Sequence, residues 1–162
     1  MDSPIFDIIV KDRKGSPLAV VEIKTKKEQE FARYGKKTSQ SALSLVGKLH
    51  GALIEEAMRL KAKYIVFVTI DKGNRPRAWF NKIRNGNELS EVPHFSDIIR
   101  RYNEAEIPTE AINHLYLQTL VWSWFLDIAK GRERDEKVTD FLKEIGFYNK
   151  AINGDAELEL AA

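Results

Sequence analysis

The chain contains no cysteine in its 162 residues, which excludes a disulfide framework and any thiolate zinc site. It is thus compatible with a reducing compartment. It has no run of about eighteen apolar residues that could span a bilayer, and its start, Met1-Asp2-Ser3-Pro4, lacks the basic and then apolar stretch of a secretory signal. A soluble, cytoplasmic protein without a membrane partner is expected. There is no Gly-Lys-Ser or Gly-Lys-Thr loop to cradle a nucleotide phosphate, and no internal repeat. Histidine is scarce: His50, His94 and His114 are scattered without metal-ligand spacing, and no serine or threonine stands in a recognisable nucleophile context.

What is present is a chain long enough for one domain with a real core, carrying a strong charge asymmetry. Residues 1–84 hold 18 Lys and Arg against 9 Asp and Glu, a net of +9, whereas residues 85–162 hold 8 against 15, a net of −7. A basic half attracts polyanions, because clustered Lys and Arg neutralise phosphates and release counterions. Docking of that half on the acidic half of a second copy is the other way to use it.

Three ionisable residues in the basic half stand inside apolar, strand-like runs: Asp7 in Ile5-Phe6-Asp7-Ile8-Ile9-Val10, and Glu22 and Lys24 in Leu18-Ala19-Val20-Val21-Glu22-Ile23-Lys24. Burying a carboxylate among such neighbours is costly unless a cation or donor meets it. Side chains alternate along a strand, so Leu18, Val20, Glu22 and Lys24 share a face, as do Ile5, Asp7 and Ile9. The intervening Asp12-Arg13-Lys14-Gly15-Ser16-Pro17 favours a tight turn, and the two runs read as an antiparallel hairpin. With Lys14-Gly15 as a two-residue loop, Asp7 lies across from Glu22. With a three-residue loop and Gly15 in a bulge, the register slips by one and a second bulge must restore that pairing. Both loops stay open at the level of sequence.

Two carboxylates converging from adjacent strands can hold a hard divalent cation such as magnesium, with manganese as a substitute and the Ile23 backbone carbonyl as a further ligand. Such an ion accepts phosphate oxygens and activates water, while Lys24 can orient that water or offset charge developing on phosphorus oxygens.

A Pro ahead of an Asp, a β-turn, then an apolar strand ending in Glu-x-Lys resembles the signature of the PD-(D/E)XK nucleases, the restriction-endonuclease-like superfamily. The matching residues are Pro4, Asp7, Glu22 and Lys24, with Val20-Val21-Glu22-Ile23-Lys24 as the strand; Pro4 and Asp7 are separated by Ile5-Phe6 instead of being adjacent. The resemblance implies an α/β fold with a small mixed sheet flanked by helices, and cleavage of DNA, less often RNA, with magnesium. It implies Asp7 and Glu22 as metal ligands and Lys24 as the catalytic lysine. Many members carry an acidic helix before the Asp strand; six residues precede Asp7 here, so the usual N-terminal helix is expected to be lacking. Gln40 is comparable to a glutamine that some members place after the Glu-x-Lys strand, although the aromatic expected four residues later is Ser44.

Downstream, Lys26, Lys27, Lys36 and Lys37, with Phe31 and Tyr34 interleaved, suit a nucleic-acid-contacting segment. Helical spacing predicts a helix over Ser41–Lys61, and Tyr64–Ile70 reads as a strand buried on both faces, joined to the hairpin by a crossover. Arg75–Ile83 alternates as a strand, and offers Arg75 and Arg77 as phosphate contacts. Asn85–Pro93 reads as a loop and Phe95–Asn103 as a short helix. A long apolar helix follows, with Thr109 as N-cap and Gly131 as stop. Its Trp122, Trp124 and Phe125 are expected either in the core or at a homodimer interface. An amphipathic stretch then ends at Gly146, and the last dozen residues are expected to fray.

The expected organisation is a nuclease-like α/β core over 1–105 and a C-terminal helical extension over 106–162, which packs on the core or forms a dimer interface. The expected function is magnesium-dependent hydrolysis of DNA phosphodiesters. The alternative is a nuclease-like module that binds nucleic acid or a protein without cutting.

Overall fold

The computed structural model describes residues 6–25, 53–83 and 89–159. Six strands form one mixed sheet: β1 (Ile8–Lys11), β2 (Pro17–Lys24), β3 (Tyr64–Ile70), β4 (Pro76–Lys82), β5 (Leu89–Glu91) and β6 (Asp155–Leu158), in the order β5-β4-β3-β2-β1-β6. β2 and β3 are parallel and every other neighbour is antiparallel. A parallel pair requires a crossover, and its last part is a helical stretch over residues 53–59 (α1). Four further helices follow: α2 (Phe95–Tyr102), α3 (His114–Ala129), α4 (Glu136–Glu144) and α5 (Tyr148–Ala151), with a 3-10 turn at Thr109–Ala111. None of the described helices is long and apolar enough to cross a membrane.

Period-two alternation sorts the strands onto two cores. Ile8, Val10, Ala19, Val21, Ile23, Tyr64, Val66, Val68, Ile70, Ala78 and Phe80 face the C-terminal helices, around Trp124, Phe125, Leu142 and Phe147. Val20, Ile65, Phe67 and Trp79 face the other side, against Leu53 and Ala57 of α1. By the same alternation Glu22, Lys24 and Thr69 belong to that second face. The larger core draws on both 1–105 and 106–162: β6 pairs with β1, and α3 packs on β1, β2 and β6.

The hairpin uses the longer of the two loops. Asp12 N–H donates to Ser16 O and Gly15 N–H to Asp12 O, each at 2.9 Å, which closes a three-residue loop with Gly15 at φ +82°. A bulge then resets the register: Lys11 pairs with Pro17 but Val10 with Ala19, leaving Leu18 as the extra residue. The ladder ends at Ile8↔Val21; Asp7, just before it, is a bend whose N–H donates to Val21 O at 2.8 Å and whose carbonyl accepts from Glu159 N–H on the other side. The second bulge thus restores the register that brings Asp7 to the end of β2 that carries Glu22, and it places Leu18 and Ala19 in the same core.

Several expectations need correction. Residues 155–158 do not fray: they pair with β1 as an edge strand, approached through Gly154, where a Cβ would run into the Lys11 carbonyl. Leu89–Glu91, read as loop, pairs with Trp79–Asn81. The cap of the long helix is Asn113, whose side chain accepts from Tyr116 N–H, and not Thr109. Trp124 and Phe125 are inside the core at 0% and 1% exposure, and the Trp122 indole N–H donates to Ala156 O. A helix hemmed in by the sheet, α2 and β6 spends its aromatic girth within the chain, so Trp124 and Phe125 are not available to a dimer partner. Gly131 (φ +69°) and Gly146 (φ +80°) do end their helices in the left-handed conformation that glycine tolerates best.

Candidate active site

The carboxyl ends of β2 and β3, together with the entry to β1, bring Asp7, Glu22, Lys24 and Thr69 to one corner of the sheet. Asp7 is fixed from four directions. Its N–H is held by Val21 O, and its carbonyl accepts from Glu159 N–H at 2.8 Å and from the Gln118 side-chain amide at 2.7 Å. Its carboxylate accepts from Ile23 N–H at 2.7 Å through Oδ2 and from His114 Nε2 at 2.6 Å through Oδ1. In an extended strand the N–H and C=O of one residue leave the same edge, so the Ile23 carbonyl also issues on the Asp7 side.

Glu22 is the least satisfied group in the corner. It is 7% exposed, its Oε1 meets Lys24 Nζ at 3.1 Å, and its Oε2 has no hydrogen-bond partner among the described residues. Burial pushes its carboxyl up to about 7 and the negative charge of Asp7 pushes in the same direction, with Lys24 and His114 pulling back. Near neutral pH this acid is therefore balanced between its neutral and charged forms. Thr69, 2% exposed, likewise has an Oγ1 without a partner among the described residues.

Of the residues expected at the site, Asp7, Glu22, Ile23 and Lys24 come together. Arg75 and Arg77 do not join them as free cations. Arg77 makes two hydrogen bonds to Glu91, at 2.8 and 2.7 Å, and lies over the Trp79 ring, whereas Arg75, 61% exposed, pairs with Asp71 at 3.3 Å. Pro4, Lys26, Lys27, Lys36, Lys37 and Gln40 lie outside the described residues.

Two participants escape sequence reading. His114 and Gln118 stand four apart at the start of α3, a spacing that puts both on one helical face toward Asp7. The signal was Asn113 as the cap, which marks His114 as the first helical residue; that the helix begins beside β1 is a tertiary fact.

Whether these residues fit a divalent cation can be judged from the donors themselves. Among the described residues no group of three or more His, Asp and Glu could hold a metal by themselves. Magnesium does not need one, since it keeps several waters and binds through one or two carboxylates plus substrate phosphate. The Glu22 carboxylate, one of whose oxygens has no partner among the described residues, is the ligand group such an ion would take. Comparisons with family models, with curated proteins and with solved structures gave no match.

Proposed function

We propose that the chain is a magnesium-dependent nuclease of the PD-(D/E)XK kind, with a restriction-endonuclease-like core, that hydrolyses phosphodiester bonds in DNA. The observation that carries this is Glu22: a buried acid with one oxygen unpaired among the described residues, beside a second acid and a lysine. A purely structural site would neutralise it.

In this reading Asp7, Glu22 and the Ile23 carbonyl hold the cation, which supplies positive charge to the phosphoryl oxygens and makes water a better nucleophile. His114 and Ile23 N–H keep the Asp7 carboxylate in one orientation, leaving its remaining lone pairs for the ion. Lys24 Nζ moves from Glu22 toward the phosphate oxygens as negative charge grows there, and stabilises it by a charge-assisted hydrogen bond. Water adds to phosphorus and the bond to the leaving ribose oxygen breaks. The basic first half of the chain supplies the long-range attraction for the polyanion.

A second reading, binding without cutting, is favoured by the hydrogen bonds that both Asp7 oxygens already make. A nicking assay on supercoiled DNA with magnesium or manganese separates the two. Cleavage by the native chain, lost in Lys24→Ala and Glu22→Gln while DNA binding is retained, supports the nuclease. Binding without cleavage by the native chain overturns it.

A further inference from the structure

The Thr69 hydroxyl is buried, without a partner among the described residues, and out of character with its strand. It interrupts Tyr64-Ile65-Val66-Phe67-Val68-Thr69-Ile70, in which every residue is buried, at a position where valine would fill the same space without an oxygen to satisfy. A buried hydroxyl with no partner calls for an explanation, and an ordered water is the commonest one.

Its surroundings give the explanation a location. In the parallel ladder Lys24 pairs with Thr69 and Glu22 with Phe67, so Thr69 is the immediate neighbour of Lys24 and the diagonal neighbour of Glu22 on one face. Diagonal neighbours have Cα atoms about 7–8 Å apart. A Glu side chain reaching along that diagonal, plus one water at about 2.8 Å from each oxygen, spans the interval. Glu22 Oε2 and Thr69 Oγ1, each without a partner among the described residues, are therefore on neighbouring strands, with the Lys24 ammonium against the other oxygen of Glu22.

We infer that Thr69 Oγ1 and Glu22 Oε2 together hold the water that attacks the phosphate, with Thr69 as its positioning residue. The inference rests on the hydrolytic reading for the word attack, and on packing alone for the water. The hydroxyl donates to the water oxygen, the water donates one hydrogen to Glu22 Oε2, and its remaining lone pair points away from both toward the open end of the sheet. On attack this oxygen bonds to phosphorus while the bond from phosphorus to the leaving ribose oxygen breaks, and the proton that the water sheds to solvent is matched by the one the leaving oxygen takes up.

Three measurements on three proteins test this. A high-resolution crystal structure of the native metal-free protein should contain a water within hydrogen-bond distance of both oxygens, and Thr69→Val should lose it. In steady-state cleavage Thr69→Val should lower kcat about 10–100-fold, the range for loss of a group that orients another, with KM changed less than about twofold. Thr69→Ser, which keeps the hydroxyl, should restore most of kcat. The Tm of Thr69→Val should stay within about 4 °C of native, since valine keeps the shape and a single water-mediated hydrogen bond is lost; a fall in kcat from misfolding would come with a larger drop in Tm. Native density without a bridging water, or a Thr69→Val protein that cleaves at the native rate, overturns the inference while leaving the nuclease reading intact. A native protein that holds the water and cuts no DNA defeats the hydrolytic reading, and the attacking role with it.

Discussion

Replacing Glu22 by glutamine is expected to make the metal-free protein more stable at alkaline pH, even though it removes an ion pair. The folded chain holds the Glu22 proton with a pKa of about 7, against 4.5 for the ordinary carboxyl. The native state therefore binds more protons than the unfolded state between those two values, and stability falls as pH rises through that window. The gap corresponds to about 3 kcal/mol, at about 1.4 kcal/mol for each tenfold change in proton affinity. Glu22 is only 7% exposed, so solvent screening removes little of this. Below pH 4.5 the acid is protonated in both states and the term vanishes; above about pH 8 it is present in full.

Glutamine has nearly the same shape and no charge to desolvate. Urea denaturation in EDTA, followed by tryptophan fluorescence from pH 5 to 8.5, should show the native protein losing up to about 3 kcal/mol relative to Glu22→Gln across that range. Ionisable groups remote from Glu22 behave alike in both proteins and cancel in the difference. Manganese should reverse the order, stabilising the native chain and leaving the variant unchanged. Because the cation competes with a proton for the same oxygen, its apparent affinity should climb about tenfold per pH unit up to pH 7 and then level off. Parallel pH profiles for the two proteins would refute the claim that Glu22 is held against its preference for water.

Two other perturbations bear on the surroundings. His114→Ala removes the donor on Asp7 Oδ1 and should weaken manganese binding about 10–100-fold by calorimetry without unfolding the chain; unchanged affinity would mean that His114 does not orient Asp7. Arg101→Ala should destabilise the protein by about 3 kcal/mol in urea, because the Glu133 side chain, 0% exposed, loses a two-pronged partner at 3.1 and 3.0 Å, and metal binding should be unaffected.

Local pattern carried much of the fold. The β-branched run at Tyr64–Ile70 and the alternation around Glu22 are legible because burial on both faces, or on one, leaves period-one or period-two traces in the chain. The nearness of Asp7 to Glu22 followed from the hairpin reading, whereas the loop that produces it did not, since Gly15 suits either turn and the compensating bulge at Leu18 has no sequence mark. β6 was invisible for a different reason: of Asp155-Ala156-Glu157-Leu158 only Ala156 is buried, so its pairing comes from the free edge of β1 and not from its own composition. His114 was passed over because a histidine gains meaning from what lies opposite it, and Asp7 is 107 positions away.

Two glutamates with buried side chains among the described residues show why Glu22 reads as chemistry and Glu133 as architecture. Glu133 is saturated: it accepts two hydrogen bonds from Arg101, one from the Trp124 indole and one from Asp135 N–H, so its charge ties α2, α3 and the entry to α4 together and leaves nothing unspent. Glu22 is as deeply set, yet it has one cation, a second acid as neighbour and an oxygen with no partner. An arrangement of that kind costs stability in the empty state and recovers it only when a positive or hydrogen-donating species enters, which is what a binding or catalytic site requires and a core does not. The same comparison sets the order of experiments: loss of Arg101 should destabilise the fold and spare metal binding, whereas loss of the Glu22 charge should spare the fold and abolish metal binding.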